Sequence, residues 1–327
     1  MRTLLLAETP FRDLPSAAML LEAAEAVPHD PPLLLATRAR RAPHGFVPVM
    51  AEELPEGIEQ VVLAGAFLDR GLLKAALATA AAAVAGGARL VVHNLALEGW
   101  AARHGAPEGA GVLDQAERIA VRDHRTANVL TLWRIAAPLR ILAYPERHVA
   151  ADPVLTRTLP PGPILGLAIR GGAEMRRSWQ PRLPAIAEAL SAARSWPVLP
   201  LPMRLPGGPD DDLPAIRALV EAVLPGAALL LPELAEPRFW RARLTPARCK
   251  ALVARCALVA TNRDLPAAYA VAAGVPVLGL ALGADRRIVS CIATLANELP
   301  PGSALLHPAA DPPQPAPGSF ASSSARA

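Results

Sequence analysis

The sequence predicts an α/β protein with two Rossmann-like domains whose parallel sheets face each other across a cleft. Short apolar runs alternate with helical patterns along most of the chain, which is typical of parallel sheets covered by helices. The 327 residues are enough for two domains with separate cores. The segment Thr158–Gly162 has the composition of a linker. We therefore predict one domain over residues 1–157, a second over 158–307, and a disordered tail over 308–327.

The first half contains most of the predicted strands. Apolar runs predict strands and wider apolar spacing predicts helices. The predicted strands are Thr3–Leu6, Leu33–Leu35, Phe46–Val49, Gln60–Leu63, Arg89–His93, Arg118–Val121 and Leu139–Ala143. The predicted helices are Pro15–Val27, Arg70–Ala85, Asp114–Glu117 and Ala127–Ile135. We expect Gly65 to form a turn at the end of its strand, where its backbone is able to approach a ligand.

The second half repeats the alternation. Its predicted strands are Ile164–Ile169, Val198–Leu201, Ala227–Leu231, Ala257–Ala260 and Val275–Leu282. Two helices are predicted over Leu183–Arg194 and Leu213–Val223. A third is predicted to begin at the cap Thr245-Pro246, and a fourth to end at Gly274. The loop Thr261–Asp264 lies between a strand and a helix, where α/β proteins bind ligands. For Asp210–Asp212 we expect a solvated loop, with one carboxylate capping the next helix.

Composition excludes several classes of protein. Apolar residues make up 52% of the chain and aromatic residues 4%, so the core consists of Ala, Leu and Val. The net charge of +4 is spread without blocks of like charge, which argues against a nucleic-acid surface. The first ten residues are too short for a signal peptide, and no apolar run is long enough to span a membrane. Cys249 and Cys256 are predicted core thiols on one helix face. We expect a cytoplasmic protein without a metal or cofactor.

Charged residues follow several of the predicted strands, and their order resembles the polysaccharide pyruvyl transferase family. Four segments carry the resemblance. They are Ile119-Ala-Val-Arg122-Asp123, Tyr144-Pro145-Glu146, Leu167-Ala-Ile-Arg170, and the run from Arg263 through Ala270 to Gly274-Val275-Pro276. The similarity extends in order over roughly residues 55 to 287. None of these segments is decisive alone, because similar runs occur in other two-domain glycosyltransferases.

The resemblance implies a GT-B-like architecture and the transfer of pyruvate from phosphoenolpyruvate to a sugar as a ketal. The acceptor would be a glycan or lipid-linked sugar, the latter placing the protein at the inner face of the membrane. Arg170 and Arg263 are assigned the catalytic role of stabilising the leaving phosphate, because guanidinium groups match phosphate and carboxylate oxygens. The predicted substrate-binding residues are Gly65, Arg122, Asp123, Gly171, Gly172 and Asp264. An alternative for Arg122-Asp123 is that this pair of opposite charges orients an interdomain loop.

One departure from the family pattern bears on activity. The family has a histidine two residues after the last arginine, and this chain has Leu265 there. Leucine neither donates nor accepts a proton, whereas ketal formation needs a general acid. Three hypotheses therefore remain: an active pyruvyl transferase-like enzyme, a catalytically impaired binding member of that family, and a nucleotide-sugar glycosyltransferase of the GT-B type.

Overall fold

The structure is a computed structural model of the chain. It describes residues 1–7, 13–30, 33–37, 46–50, 55–67, 69–171, 177, 179–208, 211–282 and 287–306. The predicted tail over 308–327 lies outside the described residues, as does Gly172.

The first sheet has seven parallel strands in the order β3-β2-β1-β4-β5-β6-β7. The strands are β1 (Thr3–Leu6), β2 (Leu33–Thr37), β3 (Phe46–Met50), β4 (Gln60–Phe67), β5 (Arg89–Leu97), β6 (Ile119–Val121) and β7 (Leu139–Ile141). Its helices are α1 (Leu14–Ala26), α2 (Arg70–Ala85), α3 (Gly99–Arg103) and α4 (His124–Leu132). Aspartate side chains cap α1, α2 and α4 by accepting hydrogen bonds from first-turn amides.

The second sheet has five parallel strands in the order β12-β11-β10-β8-β9. The strands are β8 (Leu165–Ala168), β9 (Val198–Pro200), β10 (Leu258–Thr261), β11 (Val277–Leu280) and β12 (Ala304–Leu306). The helices are α5 (Leu183–Ala189), α6 (Leu213–Val223), α7 (Pro237–Arg243), α8 (Pro246–Ala254), α9 (Asp264–Ala272) and α10 (Arg287–Thr294). The predicted pair of Rossmann-like parallel sheets is confirmed. The predicted domain boundary stays a prediction.

Several predictions about local structure are wrong, and three of them concern Ala227–Leu231, Gly65 and Cys256. Ala227–Leu231 is not a strand and contributes only an isolated bridge between Leu229 and Val198. Gly65 does not turn the chain after β4 but lies inside it, with φ +89° at a shift in register against β5. Cys256 lies beyond the end of α8 at Ala254 and so does not share a helix with Cys249. Both thiols are nevertheless buried, and burial raises the pKa of each to about 12.

One hydrophobic core joins the two halves of the chain. Leu14 and Ala18 from α1, together with Tyr144 after β7, belong to the same buried cluster as Leu265 and Tyr269 of α9. The sheets are therefore attached through apolar contacts and not only through the connecting chain. Among the described residues, no helix is long and apolar enough to cross a membrane.

Replacing Leu265 tests this shared core. Leu265 is 1% exposed, so Leu265→Ala should lower the free energy of unfolding by about 2–5 kcal/mol because it leaves a cavity. The matched control is Leu132→Ala at the end of α4, where the leucine is 72% exposed and we expect a change within about 0.5 kcal/mol. Urea titration measures both values, and equal losses in the two variants would contradict the packing described here.

Candidate functional site

A buried arginine connects the carboxyl ends of the two sheets. Arg122 follows β6 and is 5% exposed. Its Nη2 lies 3.1 Å from Oδ2 of Asp264, at the start of α9, and its Nε lies 3.3 Å from Oδ2 of Asp123. The guanidinium carbon lies 5.0 Å from the centre of the Tyr144 ring. The pair Arg122–Asp264 therefore joins the end of β6 in the first sheet to the end of β10 in the second.

The charge on Arg122 is maintained by its neighbours. Burial alone would lower the pKa of the guanidinium, but the carboxylates of Asp264 and Asp123 outweigh it and raise that pKa well above its usual range. Asp123 is held in turn by the amide and hydroxyl of Thr126, 2.8 and 2.9 Å from its Oδ1. The assignment of Arg122, Asp123 and Asp264 to substrate binding stays a prediction, and their geometry fits the alternative of a link between the two halves.

Arg263 is buried and paired within the second half. Its guanidinium forms a hydrogen-bonded ion pair with Asp212, and its side chain is 6% exposed. Asp212 also accepts hydrogen bonds from the amides of Gly171 (3.0 Å) and Met203 (3.0 Å). The expectation of a solvated Asp212 is wrong, because this side chain is fully buried. The first amide of α6, that of Leu213, donates to Oδ1 of Asp211 at 2.9 Å, and Asp210 lies outside the described residues. The sequence did not predict that Asp212 is the partner of Arg263.

Gly171 lies against the same loop. A Cβ added there would lie 2.0 Å from the backbone oxygen of Asp211, so the fold requires glycine at this position. The preceding Arg170 is half-buried at the end of β8, and its amide donates to Oδ1 of Asn262 at 2.7 Å. The proposed roles of Arg170, Arg263, Gly171 and Gly65 in catalysis and binding remain predictions.

Leu265 packs in the core shared by the two halves. Its side chain is 1% exposed and belongs to the buried apolar cluster that also contains Ala18 and Tyr144. A histidine at this position would bury an imidazole, which is unfavourable unless the imidazole forms a hydrogen bond. Any general acid or base of this protein has to come from another residue.

Glu98 is the cleft carboxylate that the sequence analysis missed. It follows β5, which ends at Leu97 and not at His93 as predicted. Its Oε1 lies 3.2 Å from Nη1 of Arg287, which begins α10 in the other half. Burial raises the pKa of the Glu98 carboxyl, and Asp264 raises it further, against the opposing charges of Arg122, Arg125 and Arg170.

Four arginines, two from each half of the chain, act on the charge of the Glu98 carboxyl. Arg122 and Arg125 come from the end of β6 and the start of α4, and Arg170 and Arg287 from the second half. The exposed fraction of the Glu98 side chain is 15%, against 10% for Asp264, 5% for Asp123 and 0% for Asp212. Of these four carboxylates, Glu98 is the most exposed to solvent.

Glu146 is a second buried acid, and it lies near Arg122. Glu146 is 2% exposed, and its Oε2 lies 3.2 Å from Nδ2 of Asn94. Burial raises the pKa of Glu146 to about 7, against the opposing effects of Arg122 and of the Asn94 hydrogen bond. The Glu146 carboxyl thus stays protonated to a higher pH than an exposed glutamate does.

Comparison with solved structures supports the fold. UDP-GlcNAc 2-epimerase from Methanocaldococcus jannaschii is 11% identical and has a TM-score of 0.54, with 94% of this chain and 89% of that chain covered. UDP-GlcNAc 2-epimerase from Neisseria meningitidis, bound to UDP-GlcNAc, is 11% identical with a TM-score of 0.51, covering 92% and 87%. The chain has a GT-B-like fold of two Rossmann-type units.

The comparisons do not extend to a family. Neither protein-family models nor curated proteins give a match to the sequence. At such low identity the two structures establish the architecture alone, and neither is a pyruvyl transferase. The resemblance to the pyruvyl transferase family therefore stays a prediction.

Glu146→Gln should remove a pH dependence of stability. The pKa of Glu146 rises from 4.5 to about 7 on folding, so the folded protein resists ionisation of this carboxyl. The stability it contributes is complete below about pH 4 and is lost as the pH rises through 7, a change of about 3 kcal/mol. Relative to the variant, the wild type should lose that amount between pH 4 and 8 in urea titrations.

The control for this prediction is Glu188→Gln on an exposed position of α5. Its unfolding free energy should follow the wild type at every pH. A constant difference between the wild type and Glu146→Gln across the pH range would contradict the raised pKa of Glu146.

Proposed function

We propose that the protein is a transferase of GT-B architecture that takes a nucleotide sugar as donor and transfers its glycosyl group to a glycan or lipid-linked acceptor. The observation that carries the proposal is the group of arginines from both halves around Glu98. It lies at the facing carboxyl ends of two parallel sheets, where α/β proteins bind their ligands.

The chemistry of glycosyl transfer matches this arrangement. Arginine guanidinium groups bind diphosphate oxygens through paired hydrogen bonds and stabilise the negative charge that develops on the leaving group. The bond between the sugar C1 and the diphosphate oxygen breaks, and its electron pair leaves with the nucleoside diphosphate. A bond forms between C1 and an acceptor hydroxyl oxygen, and the hydroxyl proton goes to the Glu98 carboxylate.

The raised pKa of Glu98 suits this role. A carboxylate with an ordinary pKa is a weak base at neutral pH, and burial makes Glu98 a stronger one. The solved structures support a nucleotide sugar as the donor, since both are named for UDP-GlcNAc and one contains it. This support is an analogy of fold.

Pyruvyl transfer from phosphoenolpyruvate is the second candidate. The segments Ile119–Asp123 and Arg263–Pro276 favour it, and both begin or end at the cleft. Two features weigh against it: Asp212 neutralises Arg263, and Leu265 lies in the apolar core. We place it second for these reasons.

Donor binding and donor turnover test the proposal separately. UDP-GlcNAc should raise the melting temperature of the wild type, and Arg170→Ala should weaken its binding, because that arginine lies among the charges of the cleft. Glu98→Gln should keep the binding but lower the rate of UDP release from UDP-GlcNAc by about 10²-fold or more. Arg140→Ala, an exposed position on β7, is the control that should change neither quantity.

The outcomes separate the candidates. Stabilisation by phosphoenolpyruvate and not by UDP-GlcNAc would replace the proposal with pyruvyl transfer. Binding of UDP-GlcNAc without UDP release, in the wild type and with glycan acceptors present, would identify a binding protein. No stabilisation by either donor would refute both enzymatic functions.

A further inference from the structure

His93 and Asn94 lie at an irregularity in the middle of the first sheet. Across this point Ala64 pairs with His93 but Gly65 pairs with Leu95, so β5 has one extra residue. Asn94 is that residue, and its φ of 51° is uncommon for a residue with a side chain. Such bulges redirect side chains and occur often next to functional sites.

The bulge allows both side chains to bind one carboxylate. Nε2 of His93 lies 2.9 Å from Oε1 of Glu22 on α1, and Nδ2 of Asn94 lies 2.9 Å from Oε2 of the same residue. An ionised carboxylate only accepts hydrogen bonds, so Nε2 of a neutral His93 donates and Nδ1 carries the lone pair. Among the described residues Nδ1 has no hydrogen-bond partner. The histidine is thus oriented by Glu22 and able to accept a hydrogen bond from a ligand.

His93 lines a cavity of about 350 Å³. Three exposed charged residues line it at the amino ends of β5 and β6: Arg89, Glu117 and Arg118. His93 lies four residues further along β5, so its Cα is about 13 Å from that of Arg89 by strand rise. The cleft with Glu98 lies at the opposite, carboxyl ends of these strands. The cavity is therefore separate from the proposed transferase site.

The charges of the cavity define what it binds. Two guanidinium groups and the Glu117 carboxylate leave a formal charge of +1 at the strand ends, where an anionic group is favoured. The His93 imidazole lines the other side of the cavity. The volume is at the small end of the range for ligand pockets.

We propose that this cavity is a second binding site, which takes a small phosphorylated sugar. Arg89 and Arg118 bind its phosphate, and His93, held by Glu22 and Asn94, accepts a hydrogen bond from one of its hydroxyl groups.

Calorimetric titration with two probes, glucose 6-phosphate and inorganic phosphate, tests this site. Glucose 6-phosphate should bind saturably to the wild type and at least tenfold more weakly to Arg118→Ala and to His93→Ala. Inorganic phosphate offers only the anionic group, so Arg118→Ala should weaken its binding while His93→Ala leaves it unchanged. Arg140→Ala is the matched control, and urea titration of each variant checks that it folds.

Three results would overturn the proposal. One is the absence of saturable binding of both probes to the wild type. A second is binding of glucose 6-phosphate that Arg118→Ala and His93→Ala both retain. A third is binding that Arg170→Ala weakens and Arg118→Ala leaves unchanged, because the ligand would then occupy the cleft. None of these results bears on UDP-GlcNAc binding, which tests the transferase separately.

Discussion

The structure depends on keeping one positive charge, that of Arg122, away from water. A buried guanidinium is unfavourable unless carboxylates neutralise it, and Arg122 has Asp123 on its own side and Asp264 across the cleft. The Arg122 guanidinium lies over the ring of Tyr144. The backbone φ angles of Ala143 and Tyr144 are both positive. The Tyr144 ring enters the core shared by the two halves. The ion pair and the apolar core thus hold the two sheets in one relative orientation. In this orientation their carboxyl ends face each other.

The charged residues at the cleft fall into two groups, those at the start of α9 and those around Glu98. Arg263 matches the resembled family's motif, whereas Asp264 replaces a leucine of that motif. Each has a buried partner of opposite charge, and both lie where a helix begins. An anion approaching the start of α9 would compete with the chain's own carboxylate. Arg287 is paired too, with Glu98, but its side chain is 14% exposed against 6% for Arg263. The geometry therefore favours a site centred on Glu98 over one centred on Arg263.

The sequence predicted the two parallel sheets and most strand bounds, because short apolar runs between glycines and caps are local signals. It also predicted that Arg122, Arg170, Arg263 and Asp264 follow strands. It could not predict their partners: Asp212 is 51 residues from Arg263, in a Pro- and Gly-rich loop whose composition is typical of solvent-exposed chain. Glu98 was missed for a structural reason, since the bulge at Asn94 breaks the period of β5 and the strand continues past its predicted end.

A double-mutant cycle on Arg122 and Asp264 tests the central claim most directly. Arg122→Met and Asp264→Asn, alone and together, are compared by the free energy of unfolding in urea. Each single change should cost about 3–5 kcal/mol, because it leaves the other charge buried without its partner. The double variant should lose less than the sum by about 1–3 kcal/mol. Losses that add to within about 0.5 kcal/mol would show that the pair does not join the two halves.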